Sequence, residues 1–340
     1  MGGRALKQYG VETERKNTNE FLSIGIEIQN QLELSFAGLL ESAIVTCYHT
    51  KADHGDLDVL LKITQEFNNL KINLREYIQK TFKPNAINNN GGVYSFDYKN
   101  FQIDFIPIRE SKWETAKIYF SYDPLGNIMG KTFHKFGLSY GWDGLFYKFR
   151  NFNGANSHDI LITTDIRKIF EFGGYDFDRY LLGFETLEDI IKFCIDGKYF
   201  DAEMFEMENL NHIDRKRNRK RGSYHLFLNY IKDNNITIKF NFNKNKGDYI
   251  SLIDQTFPDV KFLEKLSALA EKDRNNKILA QKFNGDLIMS WLPNLKGKEL
   301  GKAISDFKLA LGEDYNDFIL NNNYEIIQNY FMEIYNGYNK

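Results

Sequence analysis

Two aspartates one residue apart, Asp56 and Asp58, follow Gly55 in the stretch Lys51-Ala52-Asp53-His54-Gly55-Asp56-Leu57-Asp58-Val59-Leu60-Leu61. The apolar run Leu57 to Ile63 reads as a strand. Side chains alternate along a strand, so the two carboxylates leave from one face and Leu57 and Val59 from the other. Carboxylates that close repel each other, and one takes up a proton unless a cation is shared between them. Mg²⁺ suits that role, because it prefers a few carboxylates together with substrate phosphates. Taken alone, the pair is also compatible with an exposed strand bearing two solvated aspartates.

A second stretch, Gly91 to Ile108, supplies a third acid. Two alternating runs flank Lys99-Asn100, which reads as a tight hairpin turn. In the second run Phe101, Ile103 and Phe105 share a face, and Asp104 points to the other. An acid set among Ile103, Phe105 and Ile106 is costly to bury without a partner, and a metal would supply one. Three strand-borne acids are what metal-dependent phosphoryl and nucleotidyl transfer requires, since the metals must bridge the attacking oxygen, the phosphate and the leaving group.

At these residues the chain resembles the DNA polymerase beta-like nucleotidyltransferase superfamily, through Gly55-Asp56-Leu57-Asp58-Val59-Leu60 and Gln102-Ile103-Asp104-Phe105. That superfamily includes poly(A) polymerases and CCA-adding enzymes. The likeness is closer to the nucleotidyltransferases of large bacteriophages and giant viruses, carried by Met1 to Leu6, Lys51 to Asp58, Gly141-Trp142-Asp143-Gly144-Leu145 and the basic run near Arg217. The resemblance implies an α+β fold, with a polymerase-beta-like catalytic domain of small mixed sheet and helices over 1–150. A mainly helical domain over 151–340 would grip the acceptor. It further implies two Mg²⁺ or Mn²⁺ ions. Asp56 and Asp58 would hold the one on the triphosphate, while Asp104 would complete the second site and help deprotonate the attacking hydroxyl. One departure is that the superfamily usually carries a Gly-Ser pair at a helix start shortly before the first acid. Here Thr46 to Lys51 occupies that place, which leaves open how a triphosphate is cradled.

The elements that must position these acids can be read around them. Asn17 with Glu20 marks a helix start, and Phe21, Ile24, Ile28 and Leu32 recur at helical spacing. A buried strand is expected over Ala43 to Tyr48, an amphipathic helix from Thr64 to Phe82, and an Asn-rich loop over 85–90 before the hairpin. Gly2-Gly3-Arg4 reads either as a glycine turn aiming Arg4 at phosphate, which the resemblance favours, or as an unstructured start. Pro124 to Thr132 mimics a phosphate-binding loop, but three residues rather than four separate Gly126 and Gly130. The stretch reads better as a helix–turn beside the nucleotide cleft, with Lys131 open to a phosphate or to solvent.

Tyr140, Trp142 and Phe146 could stack on a base or belong to ordinary core turns. The candidate nucleotide contacts are thus Gly2, Gly3, Arg4, Lys51, Lys131 and Tyr140. A further strand is expected near His158 to Asp165. A helix then follows Thr186 and Asp189, a capping-box-like start.

Arg215-Lys216-Arg217-Asn218-Arg219-Lys220-Arg221 would place three like-charge pairs at i,i+4 on a helix, each costing roughly 0.2–0.5 kcal/mol. An anionic partner that offsets the repulsion is the functional reading, and RNA, DNA or a nucleoside triphosphate would serve; a solvated face is the other. Arg215, Lys216, Arg217, Arg219, Lys220 and Arg221 are therefore candidate nucleic-acid contacts. Leu266, Leu269 and Ala270, then Leu300, Ile304, Phe307 and Leu311, then Ile326, Ile327, Tyr330, Phe331 and Ile334 mark three later helices. Phe283-Asn284-Gly285 with Gly297-Lys298-Glu299-Leu300-Gly301 resembles the tail of CCA-adding enzymes and bacterial poly(A) polymerases, and plain helix packing explains it as well.

A chain of 340 residues with 42% apolar and 26% charged residues has the composition of a soluble globular protein with room for two domains. At a net charge of −2, any nucleic-acid surface must be local. Two cysteines make no disulfide framework and fit a reducing cytosol. Cys47 and His49 are too few for zinc. No run reaches the length of a membrane helix, no signal-peptide pattern is read, and Leu6 stands where myristoylation needs Ser or Thr. The expectation is a cytoplasmic nucleotidyltransferase that moves NMP from an NTP to a hydroxyl, foremost an RNA 3′ end. A toxin-like transfer to protein or a small molecule, or a catalytically inert binding subunit, are the alternatives.

Overall fold

The first helix is opened by a reciprocal cap. Following the two-residue strand β1 (Lys16–Asn17), the Asn17 side chain accepts the Glu20 amide at 3.0 Å and the Glu20 carboxylate accepts the Asn17 amide at 3.2 Å. Two of the orphan donors of a helix start are thereby satisfied. Helix α1 (Thr18–Phe36) then buries Phe21, Ile24, Ile28 and Leu32, the stripe expected from their spacing. The computed structural model describes residues 3–338.

Strand β2 (Ser42–Ile44) is shorter than the expected Ala43 to Tyr48. The backbone leaves the sheet because its partners lie elsewhere: the Thr46 carbonyl accepts the Tyr122 amide, and the His49 and Thr50 amides donate to the carbonyls of Phe184 and Glu185. A short strand β3 (Asp53–His54) pairs with β1, and β4 (Asp56–Ile63) follows. Leu57, Val59 and Leu61 are fully buried against the α1 side. Burying each contributes about 1.5–3 kcal/mol.

The expected helix over Thr64 to Phe82 is instead two, α2 (Gln65–Asn69) and α3 (Leu74–Thr81). Lys71 takes a left-handed φ of 51°, and the Asn73 side chain recaps the chain by accepting the Arg75 and Glu76 amides. Apolar periodicity runs across such a break unaltered. The expected loop at 85–90 also contains a strand, β5 (Ile87–Asn90), which pairs antiparallel with β6 (Val93–Tyr98). Lys99 and Asn100 then take φ of 51° and 58°, as a two-residue hairpin turn demands, and β7 (Phe101–Arg109) returns. The sheet order is β2-β4-β7-β6-β5, with β4 and β7 parallel and the other pairs antiparallel.

Helices α4 (Trp113–Phe120) and α5 (Leu125–Lys135) lead to a second sheet of order β10-β9-β8, made from β8 (Leu138–Gly141), β9 (Gly144–Arg150) and β10 (Asn156–Thr163). Beyond β10 every regular element among the described residues is helical. These begin with α6 (Ile166–Gly173), α7 (Phe177–Leu181) and α8 (Leu187–Ile195), the last started by the Thr186–Asp189 capping box. Then come α9 (His212–Asn218), α10 (Gly222–Asp233) and α11 (Ile250–Thr256).

The chain up to Tyr147 together with Leu161–Val260 forms one compact unit. Lys148–Ile160 and Lys261–Lys340 form the other. The second unit contains α12 (Phe262–Lys282), α13 (Gly285–Trp291), α14 (Gly297–Leu311), α15 (Tyr315–Asn321) and α16 (Tyr324–Tyr338), closed over Phe283, Ile288, Phe307, Ile319 and Phe331. The fold class is α+β.

Candidate active site

Parallel pairing of β4 with β7 sets Asp58 directly beside Asp104 and Asp56 beside Gln102. Residues in register on neighbouring strands point to the same face, so the three acids converge. One oxygen from each of Asp56, Asp58 and Asp104 lies within 4.8 Å of the other two. The apolar alternation of β4 drives this, because turning Leu57, Val59 and Leu61 to the core sends Asp56 and Asp58 outward.

Hydrogen bonds aim these carboxylates. The buried Gln102 donates from Nε2 to Asp104 Oδ1 at 2.9 Å and Oδ2 at 3.1 Å, and the hydroxyl of Ser95, opposite Asp104 on β6, also bonds it. The Gly3 amide donates to Asp56 Oδ2 at 3.2 Å. Burial raises the pKa of all three acids. Asp58 is pushed well above the carboxylate range by burial, then by the charges of Asp56 and Asp104. Asp104 is pushed up to about 6 by burial and by Asp56, against the restraining bonds of Ser95 and Gln102. Three half-buried carboxylates cannot all ionise without a cation. An all-oxygen set of this kind fits a hard divalent ion such as Mg²⁺ or Mn²⁺.

A cavity of about 710 Å³ has Asp56 and Asp58 in its lining, together with Lys51, Arg217, Lys220 and Arg221. Part of its rim is fixed by other pairs. Arg15 grips Asp53 through Nε and Nη2, and Arg221 stands 3.7 Å from Asp123, which also receives the Ser223 hydroxyl. The His54 ring stacks on Phe21 with centroids 3.8 Å apart, and burial lowers its pKa to about 4. Imidazole, not imidazolium, therefore sits against the cavity.

The basic run is not one helix but turns a corner. Helix α9 ends at Asn218, whose buried side chain accepts from Asn127 Nδ2 at 3.0 Å, and α10 begins at Gly222. Arg217, Lys220 and Arg221 consequently reach the cavity, whereas Arg215, Lys216 and Arg219 do not line it. Arg215 donates to the carbonyls of Glu208 and Leu210.

The other sequence candidates distribute unevenly. Lys51 lines the cavity. Gly3 contacts Asp56, Arg4 is exposed, and Gly2 lies outside the described residues. Lys131 is not on an open loop but on α5, buried, 3.4 Å from Asp214 and over the Tyr224 ring. It lines a smaller neighbouring cavity of about 150 Å³, and burial lowers its pKa. Tyr140 is buried with its ring edge-on to Tyr119 and Phe133, in a core packing rather than a stacking position.

Sequence reading missed Gln102 and Ser95. The period of two did carry a signal for Gln102, which must share the face of Asp104 on a strand. Ser95 needed the hairpin register.

No family model and no curated protein matches the chain. Among solved structures it is similar to Leishmania infantum polymerase beta. In a ternary gap complex the identity is 16%, with 40% of this chain and 52% of that chain covered and a TM-score of 0.33. In a ternary P/T complex the identity is 14%, with 46% and 72% covered and a TM-score of 0.36. The chain thus spans about half the length of the first of these. At these TM-scores the α+β assignment rests on the strand order and helices described above.

Proposed function

We propose that the protein is a metal-dependent nucleotidyltransferase. The observation that carries this reading is the convergence of Asp56, Asp58 and Asp104 beside a cavity that also exposes Lys51, Arg217, Lys220 and Arg221. Acids for cations next to bases for phosphates is the polarity that a nucleotide–metal complex requires.

When bound, divalent cations neutralise the phosphate oxygens and favour the alkoxide form of the attacking hydroxyl. Asp56 and Asp58 would hold the ion that accompanies the triphosphate, and Asp104 would complete a second site. Arg217, Lys220 and Arg221 would grip the β- and γ-phosphates in place of the Gly-Ser pair missing before Asp56. The acceptor hydroxyl oxygen bonds to the α-phosphorus as the α–β bridging P–O bond breaks and pyrophosphate leaves. Asp104 would receive the hydroxyl proton, since it is the acid on the strand beside Asp58 and Asp56.

Residues 1–150 would supply the catalytic acids, and 151–340 would supply the phosphate-gripping bases as well as the surface that addresses the acceptor. An RNA 3′ end is the favoured acceptor, with the exposed Lys216 and Arg219, off the cavity wall, available to its backbone. The placement of Arg217, Lys220 and Arg221 on the cavity wall favours a second reading, transfer to a protein or small molecule, because bases that grip the nucleotide leave fewer of the run's charges for RNA.

Each α-³²P-labelled NTP, incubated with Mg²⁺ or Mn²⁺ and with bulk RNA or none, tests the proposal beside Asp56→Ala and Asp58→Ala controls. Label in RNA that depends on both acids supports terminal transfer. Label in protein or a small product selects the second reading. No label under any condition, with RNA still retained on a filter, would leave a binding protein without catalysis.

A further inference from the structure

We infer that Gln102 is a positioning residue, tying the N-terminal segment to the acid cluster so that the carboxylates of Asp56 and Asp104 are aimed at a divalent cation. The inference rests on the metal-binding reading above and adds the device that orients the ligands.

Both ends of the Gln102 amide are engaged. Its Nε2 donates to the two oxygens of Asp104 at 2.9 and 3.1 Å, and its Oε1 accepts the Ala5 amide at 2.9 Å. The side chain is 2% exposed. An amide this buried with every contact satisfied sets the plane of the carboxylate it holds. A carboxylate offers about four lone-pair sites, so the donor from Gln102 leaves room for a metal.

The segment around Ala5 is built to lie at this place. Gly3 adopts φ +79°, and a Cβ there would stand 2.2 Å from the Gly55 carbonyl oxygen. That obstacle is backbone and cannot swing aside, so the close approach requires glycine. Its reward is the bond from the Gly3 amide to Asp56 at 3.2 Å. The Thr13 hydroxyl donates to the Gly3 carbonyl at 2.9 Å, and Leu6 is buried to 1% exposure. A segment outside the five-stranded sheet therefore supplies two amides one residue apart, Gly3 to one acid directly and Ala5 to the amide that holds another.

Such outer partners tune metal sites as strongly as many ligands do. Replacing one typically weakens metal affinity by about 10–100-fold. Reciprocity demands the converse, that metal binding hold the segment in place.

The experiment titrates the 340-residue chain with Mn²⁺, reading free ion by electron paramagnetic resonance, for the unchanged chain, Gln102→Met and Gly3→Ala. Melting temperature in EDTA and amide exchange at Ala5 with and without Mn²⁺ are recorded in parallel. Both variants are expected to bind Mn²⁺ at least about 10-fold more weakly, and Mn²⁺ is expected to slow exchange at Ala5 in the unchanged chain. If Gln102→Met does not fold, Gly3→Ala reads the same device from its other end with Gln102 intact. Unchanged Mn²⁺ affinity in the variants, with only the melting temperature lowered, makes the contact purely structural and overturns the inference while the metal site stands. Failure of the unchanged chain to bind Mn²⁺ removes the metal-binding reading and this inference together.

Discussion

Asp58 and Asp104 are in-register neighbours on two adjacent parallel strands, although two helices and a hairpin separate them in the chain. Their closeness is a property of sheet pairing, and Asp56 joins them by the two-residue repeat of β4.

This crowding makes the apo protein pH-sensitive in a defined direction. Asp104 has a folded pKa of about 6, raised above the ordinary carboxylate value, so its protonated form is favoured in the fold. The associated stability is present below pH 4 and is lost as pH rises through about 6. A divalent cation removes the repulsion. The melting-temperature gain on adding Mg²⁺ over EDTA should therefore grow between pH 5 and pH 8, by roughly several degrees, on the usual scale of a few degrees per kcal/mol. Asp58→Asn should raise the melting temperature in EDTA at pH 8 and abolish the Mg²⁺ increment. A gain that is flat with pH would argue against cation binding at these acids.

The acid limb has its own residue. His54 is held neutral, with a pKa of about 4. A depressed folded pKa contributes stability above the unfolded value near 6.5 that is lost as pH falls through about 4. His54→Gln should flatten the loss of melting temperature between pH 6.5 and pH 4 without altering its dependence on Mg²⁺.

Arg217, Lys220 and Arg221 share the cavity with Asp56 and Asp58, unlike Lys216 and Arg219. Single alanine replacements in the first group should raise the KM for NTP by about 10-fold each, the scale of one charge-assisted bond. Lys216→Ala and Arg219→Ala should leave that KM unchanged and reduce only affinity for a nucleic-acid acceptor, if the acceptor is one. Equal effects from both groups would undo the division made here.

Lys131 is paired with Asp214 inside the fold. Lys131→Met should lower stability by about 1–3 kcal/mol by stranding a partly buried carboxylate, measurable in urea, with no change in KM for NTP. A large rise in KM at full stability would restore the phosphate-contact role.

The hairpin turn guards the register of Asp104. Asn100 has φ +58°, which a β-branched residue adopts only under strain. Asn100→Val should cost about 1–3 kcal/mol and, if the turn shifts by one residue, should move Asp104 off the face it shares with Asp56 and Asp58. Mn²⁺ affinity measured beside stability separates the two effects.

The chain's local patterns already contained much of this. The α1 stripe and both capping boxes, the D-x-D strand and the Lys99-Asn100 hairpin depend on nearest neighbours, on periods of 3.6 and 2, and on turn chemistry. Because Leu57, Val59 and Leu61 alternate with them, the shared face of Asp56 and Asp58 was legible too; that Leu60 on this face is buried in a second core with Ile106, Ile108 and Trp113 was not. Other features depend on partners distant in the chain. The backbone of 46–50 bonds to Tyr122, Phe184 and Glu185 instead of extending a strand, and Lys71 breaks a helix that periodicity leaves whole. Tertiary packing alone decided that Gln102 links Ala5 to Asp104, that Lys131 pairs inward with Asp214, and that a corner at Asn218 splits one basic run between cavity and solvent. Residue types and spacing set which faces are buried; only the pairing of strands and the closing of loops sets which buried groups meet.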